Sequence, residues 1–315
     1  MYNFKLDFEL SSTFNCVESY LKLLSSDKNI NYTLYSSDKE KSIKDSMKFI
    51  IEGHGFSTEK KACEGESKAR NALMWYCTKF YSGVKFKEEK MRFTEFALKK
   101  MSDESGARIL NYKSRNNVYS DDKPTRFLSG SVEMYKSCQV NSFIKIFQQG
   151  LNIKLNDKEN LGFELYNAYA FESSIRAKFL TLIIAIESLL GRPKRNDKTV
   201  GYIESLVKQT KNQTELKKND MDSLVGCLEE LKYQSISSRA KSLIKKYLKS
   251  KKYNGKSAEI FFSECYKIRS DIIHTGKPPE KIKDFRKITV ELYKMVSALL
   301  ISSIENKLII NKSMK

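Results

Sequence analysis

Arg269 and His274 are separated by four residues in the stretch KIRSDIIHTGKPP, and His274 is one of only 2 histidines in the chain. An imidazole titrates near neutral pH and can take or give a proton. A guanidinium stays charged and offers a planar fork matched to phosphate oxygens. The two types together suit proton transfer beside a phosphate group. The same stretch also reads as an ordinary helix stop, with a histidine in the last turn, Gly276 just past it and Pro278-Pro279 beyond. Residues five apart on an ideal helix lie about 140° apart around its axis. Arg269 and His274 therefore share a face only if the helix unwinds at Thr275-Gly276.

The neighbours carry a functional and a plain reading alike. Asp271, three residues before His274, could orient the imidazole by hydrogen bond, or be a solvated carboxylate. Ser270 and Lys277 could each meet a phosphate, or sit on the polar surface. Glu187, inside the apolar run LIIAIESLL, is costly to bury alone. Pairing with an arginine of the 258–274 helix would serve the architecture or hold Arg269. Residues 191–256 carry 17 Lys/Arg against 7 Asp/Glu. GRPKRNDK supplies Lys194 and Arg195; RAKSLIKKYLKSKKYNGK supplies Lys245, Lys246, Lys249, Lys251 and Lys252, with Tyr247 and Tyr253 interleaved. Cations beside aromatic rings suit a flexible single strand, its phosphates held and its bases stacked. They equally suit a solvated helix face. His54, in EGHGF, is expected in a strand-to-helix turn whose glycines allow close approach.

The elements that position these residues divide the chain at about residue 132. YNFKLDFEL alternates with Phe4, Leu6, Phe8 and Leu10 on one face, a strand pattern, and NYTLYSS and MKFIIEG read as further strands. A helix follows over STEKKACEGESKARNALMWYCTKFYSG, with Ser57 or Thr58 as cap and Gly83 as stop. Residues 102–132 read as loop-like. From 133 onward the pattern is helical: one long helix over GFELYNAYAFESSIRAKFLTLIIAIESLLG, then VGYIESLVKQ, one or two helices to residue 250, and SAEIFFSECYKIRSDIIH. In that segment Ile260, Phe261, Cys265, Ile268 and Ile272 form the apolar stripe. A last helix has Ile282, Phe285, Ile288 or Thr289, Leu292, Val296 and Leu299 at helical spacing. The expected fold class is α+β: an N-terminal mixed α/β domain over 1–132 and an all-α helical bundle over 133–315.

Two blocks, ELYNAYAFESSIRAKFLTLIIAIESLLG and YKIRSDIIHTGK, resemble the long first helix and the Arg-Ser-x-x-x-His-x-Gly signature of the Apea-like branch of the HEPN superfamily. The likeness covers roughly residues 150 to 300. It implies an all-helical, dimeric, metal-independent endoribonuclease with Arg269 and His274 at its centre, in a toxin or antiviral defence role. The residue chemistry agrees. RNA can be cut without a metal when its 2′-OH attacks the adjacent phosphorus. That step needs a base, an acid for the leaving 5′-oxygen and positive charge on the phosphorane. One imidazole cannot readily do both proton jobs, and a two-fold pairing of the 258–274 helices would supply two. The alternative is a catalytically silent HEPN module that binds nucleic acid or nucleotide.

Composition bounds the partners. Lys+Arg number 57 against 38 Asp+Glu, a net +19, which makes a polyanion a plausible partner. RNA, with tRNA one candidate, is expected; no cofactor and no metal are. Cys16, Cys63, Cys77, Cys138, Cys227 and Cys265 form no Cys-x-x-Cys and suit a reducing cytosol. The apolar runs FLTLIIAIESLL and MVSALLISSI are too short to span a bilayer, and MYNFKLDFEL lacks a signal-peptide core. A cytoplasmic homodimer without membrane association is the expectation.

Overall fold

In the computed structural model the described residues are 1–23, 29–38, 40–87, 95–110, 118–120, 125–127, 137–138 and 140–313. The strands are β1 (Tyr2–Leu10), β2 (Thr13–Phe14), β3 (Tyr20–Leu23), β4 (Asn31–Ser36), β5 (Lys48–Phe56), β6 (Val84–Phe86), β7 (Arg108–Leu110), β8 (Val118–Ser120), β9 (Thr125–Phe127), β10 (Ser137–Cys138), β11 (Lys252–Tyr253) and β12 (Lys256–Ser257). The helices are α1 (Glu59–Lys79), α2 (Glu95–Ser105), α3 (Val140–Gly150), α4 (Asp157–Ala168), α5 (Ile175–Ser188), α6 (Asp197–Lys211), α7 (Lys218–Leu231), α8 (Ile236–Leu248), α9 (Ala258–Thr275) and α10 (Phe285–Ser313). The class is α+β, an N-terminal antiparallel sheet followed by a helical C-terminal region.

The chain forms two compact units: Met1–Thr181 with Ile304–Lys315, and Leu182–Ser303. In the first, the antiparallel sheet runs β3-β4-β5-β1-β6, and β8 also pairs with β1. Alternation decides its faces. Phe4, Leu6, Phe8 and Leu10 are buried on the side that carries α1, together with Phe49 and Ile51 of β5. Lys5, Asp7 and Glu9 take the other side. Of the two candidate caps of α1, Thr58 is the one used, its hydroxyl accepting from the Lys61 amide at 3.2 Å. The helix stops at Phe80 rather than at Gly83. α3 and α4 pack against α1, and Phe14, Tyr76, Phe143 and Phe147 form an aromatic core with ring centroids 4.7 to 6.4 Å apart. Glu305 and Lys307 of α10 belong to this unit: Lys79 Nζ lies 2.7 Å from Glu305 Oε1, and Lys307 pairs with Glu159.

The expected boundary at 132/133 lies outside the described residues, as does much of the stretch 102–132. Within that stretch α2 continues to Ser105 and β8 joins the sheet at Tyr2–Phe4. A three-residue strand is too short to show a period in sequence.

The long helix expected up to Gly191 is two helices. α4 ends at Ala168, Tyr169–Phe171 forms a 3₁₀ turn, and α5 starts at Ile175. Neither Pro nor Gly marks the break. Local side chains make it: Glu172 Oε1 accepts from the Ser174 amide at 2.9 Å, and Ser174 Oγ accepts from the Ala177 amide at 3.4 Å.

In the second unit α6 pairs with α7 and α8 with α9. Its core holds Leu182, Ile183, Ile186, Ile244, Phe261, Phe262, Cys265, Leu292, Val296 and Leu299, all at most 1% exposed. Thr289 rather than Ile288 is the buried residue of the α10 stripe, its hydroxyl donating to the Phe285 carbonyl at 2.8 Å.

Candidate functional site

α9 places both residues of the Arg-x4-His pair. Ser257 caps the helix at the Ile260 amide, and Phe261, Phe262, Cys265, Ile268 and Ile272 seat it in the core. Phe262 takes the place expected of Ile260, which is exposed. The helix ends as its sequence predicts. Gly276 has φ +74° and donates its amide to the Ile272 carbonyl at 2.8 Å, and Thr275 Oγ donates to the Asp271 carbonyl at 2.7 Å. It does not unwind at Thr275, so His274 stays about 140° from Arg269 around the axis.

Arg269 turns inward. Its Nε lies 3.8 Å from Glu187 Oε1 on α5, and its guanidinium carbon 5.7 Å from the Tyr266 ring centroid. Glu187 Oε1 is buried without a hydrogen bond, so this ion pair is its compensation. Burial and then Glu187 raise the Tyr266 phenol above its ordinary range, while Arg269 and Arg239 pull it down; both arginines thus lie within electrostatic reach of one ring. His274 is exposed, and its side chain has no hydrogen-bond or ion-pair partner among the described residues. Asp271 is exposed and Ser270 half-buried; neither side chain is brought to His274 by a bond. Lys277 is exposed, its amide donating to Thr275 Oγ at 3.3 Å.

The basic residues fall into two sets. Lys245 and Lys246 occupy the last turn of α8, and Lys249, Lys251 and Lys252 follow it, all exposed. Tyr247 is half-buried with Lys246 Nζ 5.0 Å above its ring. Tyr253 is 6% exposed and packs on Phe261 at 6.0 Å, so it belongs to the core and offers no face to a base. Lys194 bridges to Tyr233 through the backbone, and Arg195 Nε donates to the Leu231 carbonyl at 2.8 Å. Sequence reading passed over Arg192 and Arg239. Arg192 pairs with Glu230 and lies 4.1 Å above the Tyr233 ring; Arg239 Nη1 donates to the Gly191 carbonyl at 2.6 Å. One signal was present: Arg239, Ser242 and Lys246 stand at helical spacing i, i+3, i+7.

His54 lies within β5 rather than in a turn, and its flanking glycines serve the fold. A Cβ at Gly53 would sit 2.3 Å from the Phe4 ring; Gly55 has φ +93°, and its Cβ would meet the Asn29 carbonyl at 2.0 Å. The close approach is to the protein's own residues. On the polar side of the sheet Glu52 gathers His54 Nε2 at 3.6 Å, Lys5 Nζ at 3.4 Å and a hydrogen bond from Tyr35. Burial raises the Glu52 carboxyl, but His54, Lys5 and Tyr35 together hold it at about 2.

Among the described residues no three His, Cys, Asp or Glu side chains converge to hold a metal ion, and no helix is long and apolar enough to cross a membrane. Compared with known proteins, the chain matches no family model, no curated protein and no solved structure.

Proposed function

We propose that the chain is a metal-independent endoribonuclease of the Apea-like HEPN type, a cytoplasmic homodimer acting as a toxin or defence effector. The observation that carries this reading is the arrangement on α9: Arg269 steadied by Glu187, and His274 exposed without an intramolecular partner. The single chain leaves the two on different faces, so the complete centre is composite. Ile260, 55% exposed, lies within about 40° of His274 around the helix axis and gives that face an apolar contact for a second α9. One His274 takes the 2′-OH proton as the oxygen attacks phosphorus. The bond to the 5′-oxygen breaks, and the second His274 protonates the leaving oxygen. Arg269 neutralises charge on the phosphorane. The products are a 2′,3′-cyclic phosphate and a 5′-hydroxyl.

Purified protein incubated with total RNA and a tRNA pool in EDTA is expected to yield 2′,3′-cyclic phosphate ends. His274→Ala should lower the rate by at least about 100-fold while RNA binding persists. Equal fragments from both proteins would remove His274 from the site.

A second reading is a nucleic-acid or nucleotide binder without catalysis. The unbroken turn at His274, which leaves Arg269 on another face, favours it. Intact RNA bound by both proteins would select it.

A further inference from the structure

A cavity of about 610 Å³ opens in the second unit between the segment after α5 and the outer face of α8. Arg192, Arg239, Lys246, Ser242, Gln234 and Gly191 contribute to its lining, and no carboxylate does. That imbalance decides what it can hold. Arg239 and Lys246 have no carboxylate partner among the described residues, and Arg192 has only Glu230, outside the lining; the two unpaired cations repel each other unless an anion enters. Two of the three are preset. Arg239 is tied to the Gly191 carbonyl by Nη1, and Arg192 lies over the Tyr233 ring and pairs with Glu230. Arg239 Nε is buried with no hydrogen-bond acceptor, an orphan donor on a residue that lines the cavity. Ser242 adds a hydroxyl at the same face of α8, and Lys246 an ammonium one turn on.

We infer that this cavity is a phosphate-binding subsite, in which Arg239, Arg192, Lys246 and Ser242 hold a backbone phosphate of single-stranded RNA. The assignment of the phosphate to RNA rests on the ribonuclease reading; the anion site itself does not. α8, which carries Arg239, packs against α9, which carries Arg269, so the subsite and the Arg-x4-His pair lie on neighbouring helices. The residues that carry it are therefore positioning residues for substrate, distinct from the lysine string at 249–252.

The test uses the full chain and a fluorescein-labelled single-stranded RNA of about 12 nucleotides, read by anisotropy. Ser242 is exposed, so Ser242→Glu places a carboxylate in the cavity without opening the core. It should weaken RNA binding by about tenfold or more. Lys241→Gln removes the same unit of charge from a residue outside the cavity and should cost about twofold or less. Equal losses in the two variants would mean that the general basic field holds RNA, and the subsite would be abandoned. Inorganic phosphate should displace the RNA more effectively than chloride at matched ionic strength; parity between the salts would also overturn it. The two readings fail separately. Wild-type cleavage with undiminished Ser242→Glu binding sinks the subsite alone. Ser242-sensitive binding of RNA that stays intact keeps the subsite and sinks the nuclease.

Discussion

Glu52 shows how a single side chain can set the pH response of the first unit. Its folded carboxyl, at about 2, lies below the ordinary 4.5 because His54, Lys5 and Tyr35 outweigh burial. A depressed carboxylate contributes stability that is fully present above its unfolded value and is lost as pH falls through the folded one. The protein should therefore lose stability between about pH 4.5 and 2. Asp7 on the same face works the other way: burial raises its pKa against the pull of Lys87 and Lys5, so its contribution grows as pH falls. Glu52→Gln should flatten the acid limb and leave Asp7's opposite slope exposed. Denaturant midpoints measured down the pH scale would read this, and an unchanged acid limb would count against the cluster. The cluster was not legible in sequence. Its members come from β1, β4 and β5, and only the strand register brings them together. Residue type alone picks out Arg269 and His274 as candidates, and the arginine partner expected for Glu187 is present. Arg239 was overlooked because its one-letter neighbours, SSRAKS, hide a face that only helical spacing reveals.

At the scale of the element, caps were readable where their chemistry is local and breaks were not. Thr58, one of the two candidate caps of α1, and Gly276 punctuate helices as their types predict. The gap between α4 and α5 depends on Glu172 and Ser174 closing bonds two and three residues on, a pattern that polar residues form in many helices without ending them. α4 itself begins with a reciprocal capping box: Asn156 Oδ1 accepts from the Glu159 amide, and Glu159 Oε2 from the Asn156 amide, both at 3.0 Å. Asn156→Ala should destabilise the first unit by about 1 kcal/mol, and Asn156→Ser should restore most of it. Equal denaturation midpoints for wild type and the Ala variant would show the box to be idle. On α10, sequence left Ile288 and Thr289 equivalent; the threonine is the buried one, its hydroxyl satisfied by the Phe285 carbonyl.

For the whole molecule, charge is the quantity that sequence stated best and structure distributes. The net +19 is concentrated in 191–256, with 17 Lys/Arg against 7 Asp/Glu. RNA affinity should fall steeply with salt, with a log–log slope near −3 if about four phosphates are neutralised. A slope near zero would leave the charge as a matter of solubility. The division into units has a consequence for biosynthesis. Glu305 and Lys307, partners of Lys79 and Glu159 in the first unit, follow the entire second unit along the chain. The Lys79–Glu305 and Lys307–Glu159 pairs can therefore form only after residues 182–303 have been synthesised, which makes them late contacts of the first unit during translation.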